Sequence, residues 1–373
     1  WEDAFANGLE LLGFSYEERS QPFRGASGVT HPLLAESATQ FQAQAFNELL
    51  PPGGPVRTLV MGSSTPEKED QAQRVKEFMN YYITSVMEEY TPEFDQMLFY
   101  LPLAGSTFKK VYYDENLDRA VSKFIPAEDL VVPYSTSDLE TCPNITHVVK
   151  MSLNDLRKRQ LSGFYRDIPV IPAQGDSSSV KEELERIDGM YPSNVDYDCT
   201  LLEGHVDLDL EGFEEEDEEG EATGIKVPYV VTISQDNGQI LSIRRNYKED
   251  DEKKKKIQYF VHYKFLPGFG FYGLGLIHTI GGLSRTATAA LRQLIDAGTL
   301  SNLPAGFKAR GLRIRDDDEP LQPGEFRDVD APGGDIKASL MSLPFKGPDQ
   351  TLMALLGFVV DAGRRFATIT DMK

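Results

Sequence analysis

The chain has 373 residues, with 59 acidic against 38 basic side chains and a net charge of −21. That balance repels polyanions and disfavours simple DNA or RNA binding, while leaving room for a protein that handles DNA without gripping it. A hydrophobic content of 40% fits two or three packed units with real cores, and two cysteines, Cys142 and Cys199, are too few for a disulfide framework.

No apolar run reaches the roughly 20 residues that a membrane span needs. The chain opens on Trp1 and stops at Lys373 inside a helical pattern, which reads as a trimmed fragment. A reduced, cytosolic setting is the expectation from cysteine usage.

Residues 1–60 read as helices and loops, with HPLLAESATQFQAQAFNELL stopped by PPGGP. Pro66 and an acidic first turn open a long helix whose Val75, Phe78, Met79, Tyr82, Val86 and Met87 form an apolar stripe. A second helix, PEFDQMLFYLPLAG, ends near Gly105. The period then drops to two. STFKKVYYDENLDRAVSKFIPAEDLVVP predicts a hairpin turning at 114–118 plus a third strand, and TCPNITHVVKMS a further strand. SLNDLRKRQLSGF starts a helix capped by Ser152, with Asp155 three residues on.

A polar loop and the short helix SSSVKEELERIDG occupy residues 172–200. LLEGHVDLDLEG alternates as a strand, EEEDEEGEATG is a solvated connector, and PYVVTISQDNGQILSIRRNY is a hairpin turning on Asp236, Asn237 and Gly238. Lysines 253–256 directly follow four acids and read as a balanced, solvated loop leading into the strand IQYFVHYKF. A glycine run and a helix from Leu274 to about Ala297 follow, then short strands over 305–345 and a strongly apolar helix at the end.

Gly268, Gly270 and Gly273 spell G-x-G-x-x-G, yet the nucleotide reading fails on three counts. The preceding strand alternates where a dinucleotide fold wants a buried aliphatic run; Phe269, Phe271 and Tyr272 crowd the loop; and the acid about 20 residues on, Asp296, falls inside a helix. The run reads instead as a hinge delivering the chain into a long helix. There Gly281, Gly282, Ala287, Ala289 and Ala290 keep the surface small, which permits a close helix neighbour or a buried core position.

His205, Asp207, Asp209 and Glu211 share one face of their strand, at a spacing of roughly 7 Å that is awkward for a single ion. A polar outer face is the plainer reading. An EF-hand start at Glu215, Asp217 and Glu219 fails because its twelfth position is Lys226. No nucleophile elbow, phosphate loop or Cys/His pair is present, so neither enzyme nor cofactor is expected.

Over most of the chain from about residue 66, the order and wording of the segments resemble bacteriophage portal proteins, the head-to-tail connectors of tailed phages. The likeness lies in STFKKVYYDE, in FIPAEDLVVPYSTSDLETCPNITHVVKMSLNDLRK, in LPGFGFYGLGLIHTIGGLSRTATAALRQLIDAGTLSNLPAGFKARGLRIR and in PGEFRDVDAPGGDIKASLMSLPFKGP.

The resemblance implies an α+β portal-type fold with an α/β wing, long stem helices and a small β-containing clip, assembled as a twelve-subunit ring. Its segments would be an outer-wing stretch at 1–65, wing at 66–163, clip and connections at 164–270, a stem helix at 271–300, inner-wing strands at 301–349 and a channel-proximal helix at 350–373, leading to a C-terminal crown that this chain lacks. SLNDLRKRQLSGF, or a neighbour, would begin the first stem helix. The implied partners are copies of the chain, double-stranded DNA in the channel, the terminase large subunit, tail or adaptor proteins and the capsid protein, with no membrane. The implied place is a capsid vertex of the virion, after assembly in the host cytoplasm.

Inter-subunit stem packing would fall to Gly281, Gly282, Ala287, Ala290 and Leu291, and DNA contacts in the channel to Arg285, Arg292, Lys337 and Lys346. Twelve copies at −21 each would carry about −250 formal charges, a wall that DNA slides past. The alternatives are another capsid or tail protein, and a metal-dependent hydrolase using the face from His205 to Glu211.

Overall fold

Alternation along one strand decides how the main unit is layered. Strand β1 (Ser106–Asp114) pairs antiparallel with β2 (Arg119–Pro126) on one side and with β8 (Phe260–Lys264) on the other, forming a three-stranded sheet. Its residues Phe108 and Lys110 point one way, and Lys109 the other. Phe108 lies against His262 and Phe271, while Lys110 reaches Glu203 in a second sheet. Lys109 sits over the rings of Tyr90 and Phe94, 4.2 and 4.9 Å from their centroids.

The second sheet is five-stranded and antiparallel, in the order β3-β4-β5-β6-β7 (Leu130–Val131, Asn144–Ser152, Asp198–Leu208, Val227–Ser234, Ile240–Arg245). The third strand after the hairpin thus joins this sheet and not the hairpin's own. Helices α2 (Leu33–Leu49) and α4 (Tyr90–Ala104) cover the other face of the smaller sheet through Phe46, Phe94, Met97, Leu98, Phe124 and Tyr263. The result is helix, sheet, sheet.

The computed structural model describes residues 2–14, 16–115, 117–170, 178–189, 198–214, 222–302, 306–308, 313–314, 329–330, 340–342 and 345–368. It is a mixed fold of helices and antiparallel sheets. Two compact units divide it: residues 1–15 with 34–282, and residues 16–33 with 283–373. The layered sheets, together with α1 (Glu2–Leu9), α3 (Pro66–Tyr81), α5 (Leu153–Leu161) and α6 (Ser179–Asp188), belong to the first. The helix α7 (Leu276–Asn302) starts in the first unit and ends in the second. The second unit also holds two small strand pairs, β9 (Gly306–Lys308) with β12 (Leu340–Ser342) and β10 (Arg313–Ile314) with β11 (Val329–Asp330), and the helix α8 (Gln350–Thr368).

One expectation needs correcting. The alternating stretch around His205 was expected to run on as a strand with its polar side outward. Strand β5 instead ends at Leu208, leaving Asp209 and Glu211 beyond it, and Glu203 and His205 face inward between the sheets. The physical reason is a compensating charge, Lys110. The helix LNDLRKRQL is capped by Ser152 as expected, with Asp155 N donating to Ser152 Oγ at 3.1 Å, and its nine residues span about 13 Å.

Helix α3 is unusual in having no buried residue. It touches the chain along one narrow side. Asn80 accepts from Val56 N at 2.8 Å and donates to Val56 O at 3.2 Å, and Thr58 Oγ1 donates to Ala72 O at 3.1 Å. Gly54, at φ +91°, makes room for Asn80, since a Cβ there would lie 2.4 Å from its side chain. Val75, Phe78 and Met79 of the expected apolar stripe face outward.

Candidate functional site: the glycine turn and its helix

The glycine run closes on itself before α7 begins. Leu266 and Leu274 form an antiparallel bridge, Leu274 N donating to Leu266 O at 2.9 Å and Leu266 N to Leu274 O at 3.3 Å. The closed turn lies backbone to backbone on the end of α4. A Cβ on Gly275 would fall 2.1 Å from Leu103 O, and one on Gly273 would fall 2.4 Å from Gly105 O. Gly105 itself adopts φ +87°, with Gly275 N 2.4 Å from where its Cβ would stand. Within the turn, Gly268 is closed by Tyr272 O at 2.3 Å. Glycine is required at these four places by main-chain approach alone. Gly270, by contrast, faces open space.

Side chains lock the turn down. Gly273 N donates to Ser106 Oγ at 2.7 Å, and Ser106 Oγ lies 3.0 Å from His262 Nε2. The His262 ring packs against both Phe108 and Phe271, with centroids 4.4 and 4.6 Å away. Burial pushes its pKa down to about 4, and the nearby Lys264 charge works in the same direction. A serine–histidine pair invites a nucleophilic reading, but Ser106 is fully enclosed and its oxygen already accepts an amide. The pair therefore acts as a clamp joining β1, β8 and the turn. At the helix start Gly275 N donates to His278 Nδ1 at 3.1 Å, and burial lowers the His278 pKa.

Along α7 the expected packing residues divide. Gly281, Ala287 and Ala290 are buried within the single chain, and a Cβ on Gly281 would stand 3.5 Å from Leu11 Cδ1. Leu291 is half-buried. Gly282 is exposed, and a Cβ there would meet nothing within 4 Å. The chain's own segments thus occupy much of the small-residue surface assigned to a neighbouring copy, because a helix with glycines and alanines admits whatever backbone is nearest.

The expected DNA-contacting residues separate in the same way. Arg285 and Lys346 are exposed, and Lys337 lies outside the described residues. Arg292 is engaged within the second unit. It pairs with Glu17 at 2.9 Å and donates to Val29 O at 2.8 Å, Gly28 O at 3.4 Å and Thr30 Oγ1 at 3.3 Å. Four residues before it Thr288 accepts from His31 N at 3.0 Å, and four after it Asp296 accepts from Ser27 N at 2.7 Å. This i, i+4, i+8 row straps residues 17–31 along the helix. The strap was not legible in the sequence, since its partners stand more than 250 positions away.

A buried polar row crosses the first unit: His147, Glu203 and Thr232 lie in register on β4, β5 and β6, with His205 two residues on. Glu203 accepts from Lys110 at 2.5 Å and sits 2.8 Å from His205 Nε2. Burial acts to raise the Glu203 pKa, but the His205 hydrogen bond and the Lys110 charge outweigh it and hold the carboxylate well below its usual range. Burial with the Lys110 charge drives His147 down to about 3.

His205 is therefore committed to Glu203, and among the described residues no cluster of His, Cys, Asp and Glu suits a metal ion. Nor is any described helix long and apolar enough to cross a membrane. No protein-family model matches this chain, and no curated protein matches it.

Proposed function

We propose that this chain is a subunit of a phage portal ring, the channel at a capsid vertex through which double-stranded DNA enters and leaves. The ring is read as a dodecamer, seated among capsid proteins, docking the terminase large subunit during packaging and tail or adaptor proteins afterwards, assembled in the host cytoplasm and carried in the virion. The chain works by shape and charge, with no chemistry of its own.

The observation that carries this reading is helix α8. Its Met353, Leu355, Phe358 and Phe366 are exposed in the single chain, Met353 to 68% and Phe358 to 72%. Large apolar side chains left open on a strongly acidic protein call for cover, and neighbouring copies in a ring would provide it. The portal-like order of segments and the net charge of −21 point the same way, since a negative channel wall lets DNA slide. A different capsid or tail component would share the open helix but not the ring.

The test is electron microscopy of the purified chain, with native mass measurement. Rings with a central hole, at about twelve times the subunit mass, are expected. Subunits that stay solitary at high concentration overturn the proposal, and open filaments or shells favour the other virion protein.

A further inference from the structure

The stripe on α3 is a second open apolar surface, separate from α8. Val75, Phe78 and Met79 stand at i, i+3 and i+4, so they share one face; the helix is held to its own chain at the edge of that face, through the Ala72 carbonyl and the Asn80 side chain. An amphipathic stripe at this spacing is normally the side that a helix buries. Here Val75 is 47% and Phe78 60% exposed. Residues 56–61, bonded to the helix at Val56 and Thr58, add Leu59 and Met61, which are 87% and 88% exposed. The arm is preformed, because the Asn80 side chain and Thr58 fasten this stretch to the helix.

We infer that this arm, residues 54–81, is a clasp covered by a second copy of this chain, an inference that rests on the ring reading above. The area fits that occupant. With Met79 and Tyr81, the six large side chains of the arm expose on the order of 700 Å², against about 800 Å² per partner in a standard stable interface. The chain moreover carries two dissimilar open apolar faces, one on the arm and one on α8. A head-to-tail contact, in which each copy offers one surface and receives on another, is the kind that closes into a ring.

The test compares the full chain with the double variant Val75→Glu/Phe78→Glu and with Asp70→Ala, an exposed control outside the stripe, by sedimentation velocity and circular dichroism. Both variants alter exposed positions, so helical content should be unchanged. The double variant should associate at least tenfold more weakly than the parent chain, and Asp70→Ala should match the parent. If the parent forms rings and the double variant forms them equally well, the clasp is overturned while the ring stands. If the parent never assembles, both fall.

Discussion

Lys110 Nζ lies 2.5 Å from Glu203 Oε1, and both side chains are almost wholly enclosed between the two sheets. One comes from the first strand of the smaller sheet and the other from the middle strand of the larger. The contact therefore ties the layers together with a directional bond where apolar packing alone would let them slide.

Removing one partner of that pair leaves a buried charge alone. Glu203→Gln should destabilise the chain by about 3 kcal/mol, whereas the double change Lys110→Met/Glu203→Leu should recover most of the loss, because no charge then remains to be desolvated. Urea unfolding of the three proteins measures this. A single variant within 1 kcal/mol of the parent would show that water reaches the pair.

Acid should weaken the same junction. His147 has a folded pKa of about 3, below its ordinary value. Between about pH 6.5 and 3 the unfolded chain therefore binds a proton that the folded chain refuses. The neutral ring's contribution is complete above pH 6.5 and declines as pH falls through that window. Glu203, also depressed, loses its contribution at still lower pH. From pH 7 to 5 the parent should lose about 2 kcal/mol more than His147→Leu. Unfolding midpoints of the two at both pH values decide it; equal losses would remove His147 from the account.

The glycines of the turn should rank by space. Gly275→Ala and Gly105→Ala meet backbone atoms at 2.1 and 2.4 Å, and the second also forces φ +87° on alanine. Each should cost about 2–3 kcal/mol, while Gly270→Ala, facing open space, should stay within about 0.5 kcal/mol. Thermal unfolding separates them, and a Gly270 variant as damaged as Gly275→Ala would refute the geometry.

Gly282→Leu divides fold from assembly. With nothing within 4 Å of the new Cβ, the single chain should keep its structure and gain up to about 1 kcal/mol of helix propensity. Ring closure should suffer if a neighbouring α7 approaches there. Sedimentation that matches the parent would remove Gly282 from the seam.

Local signals carried well from sequence to structure. The Asp236-Asn237-Gly238 turn joins β6 to β7 with Gly238 at φ +65°, and Ser152 caps its helix. The failure of the phosphate-loop pattern around Gly268 pointed to a structural role for the glycines, and three of the run, Gly268, Gly273 and Gly275, proved to be close-approach sites. What stayed hidden was long-range. Nothing near residue 275 announces that Leu103 O will sit against it. The strand around His205 turned the other way because alternation says that one face is polar, not which face is outward. A lysine 93 positions earlier reversed it. Arg292 read as a free cation because its carbonyl partners lie in a segment with no pattern of its own.

Because the glycine turn meets the end of α4 through main-chain atoms, the pitch at which α7 departs is insulated from side-chain drift. Descendants of this sequence could exchange nearly every neighbouring residue and still launch the helix along the same line. Gaining or losing a single residue between 266 and 275 would instead redirect it, so over evolutionary time the length of this stretch should be guarded more strictly than its spelling.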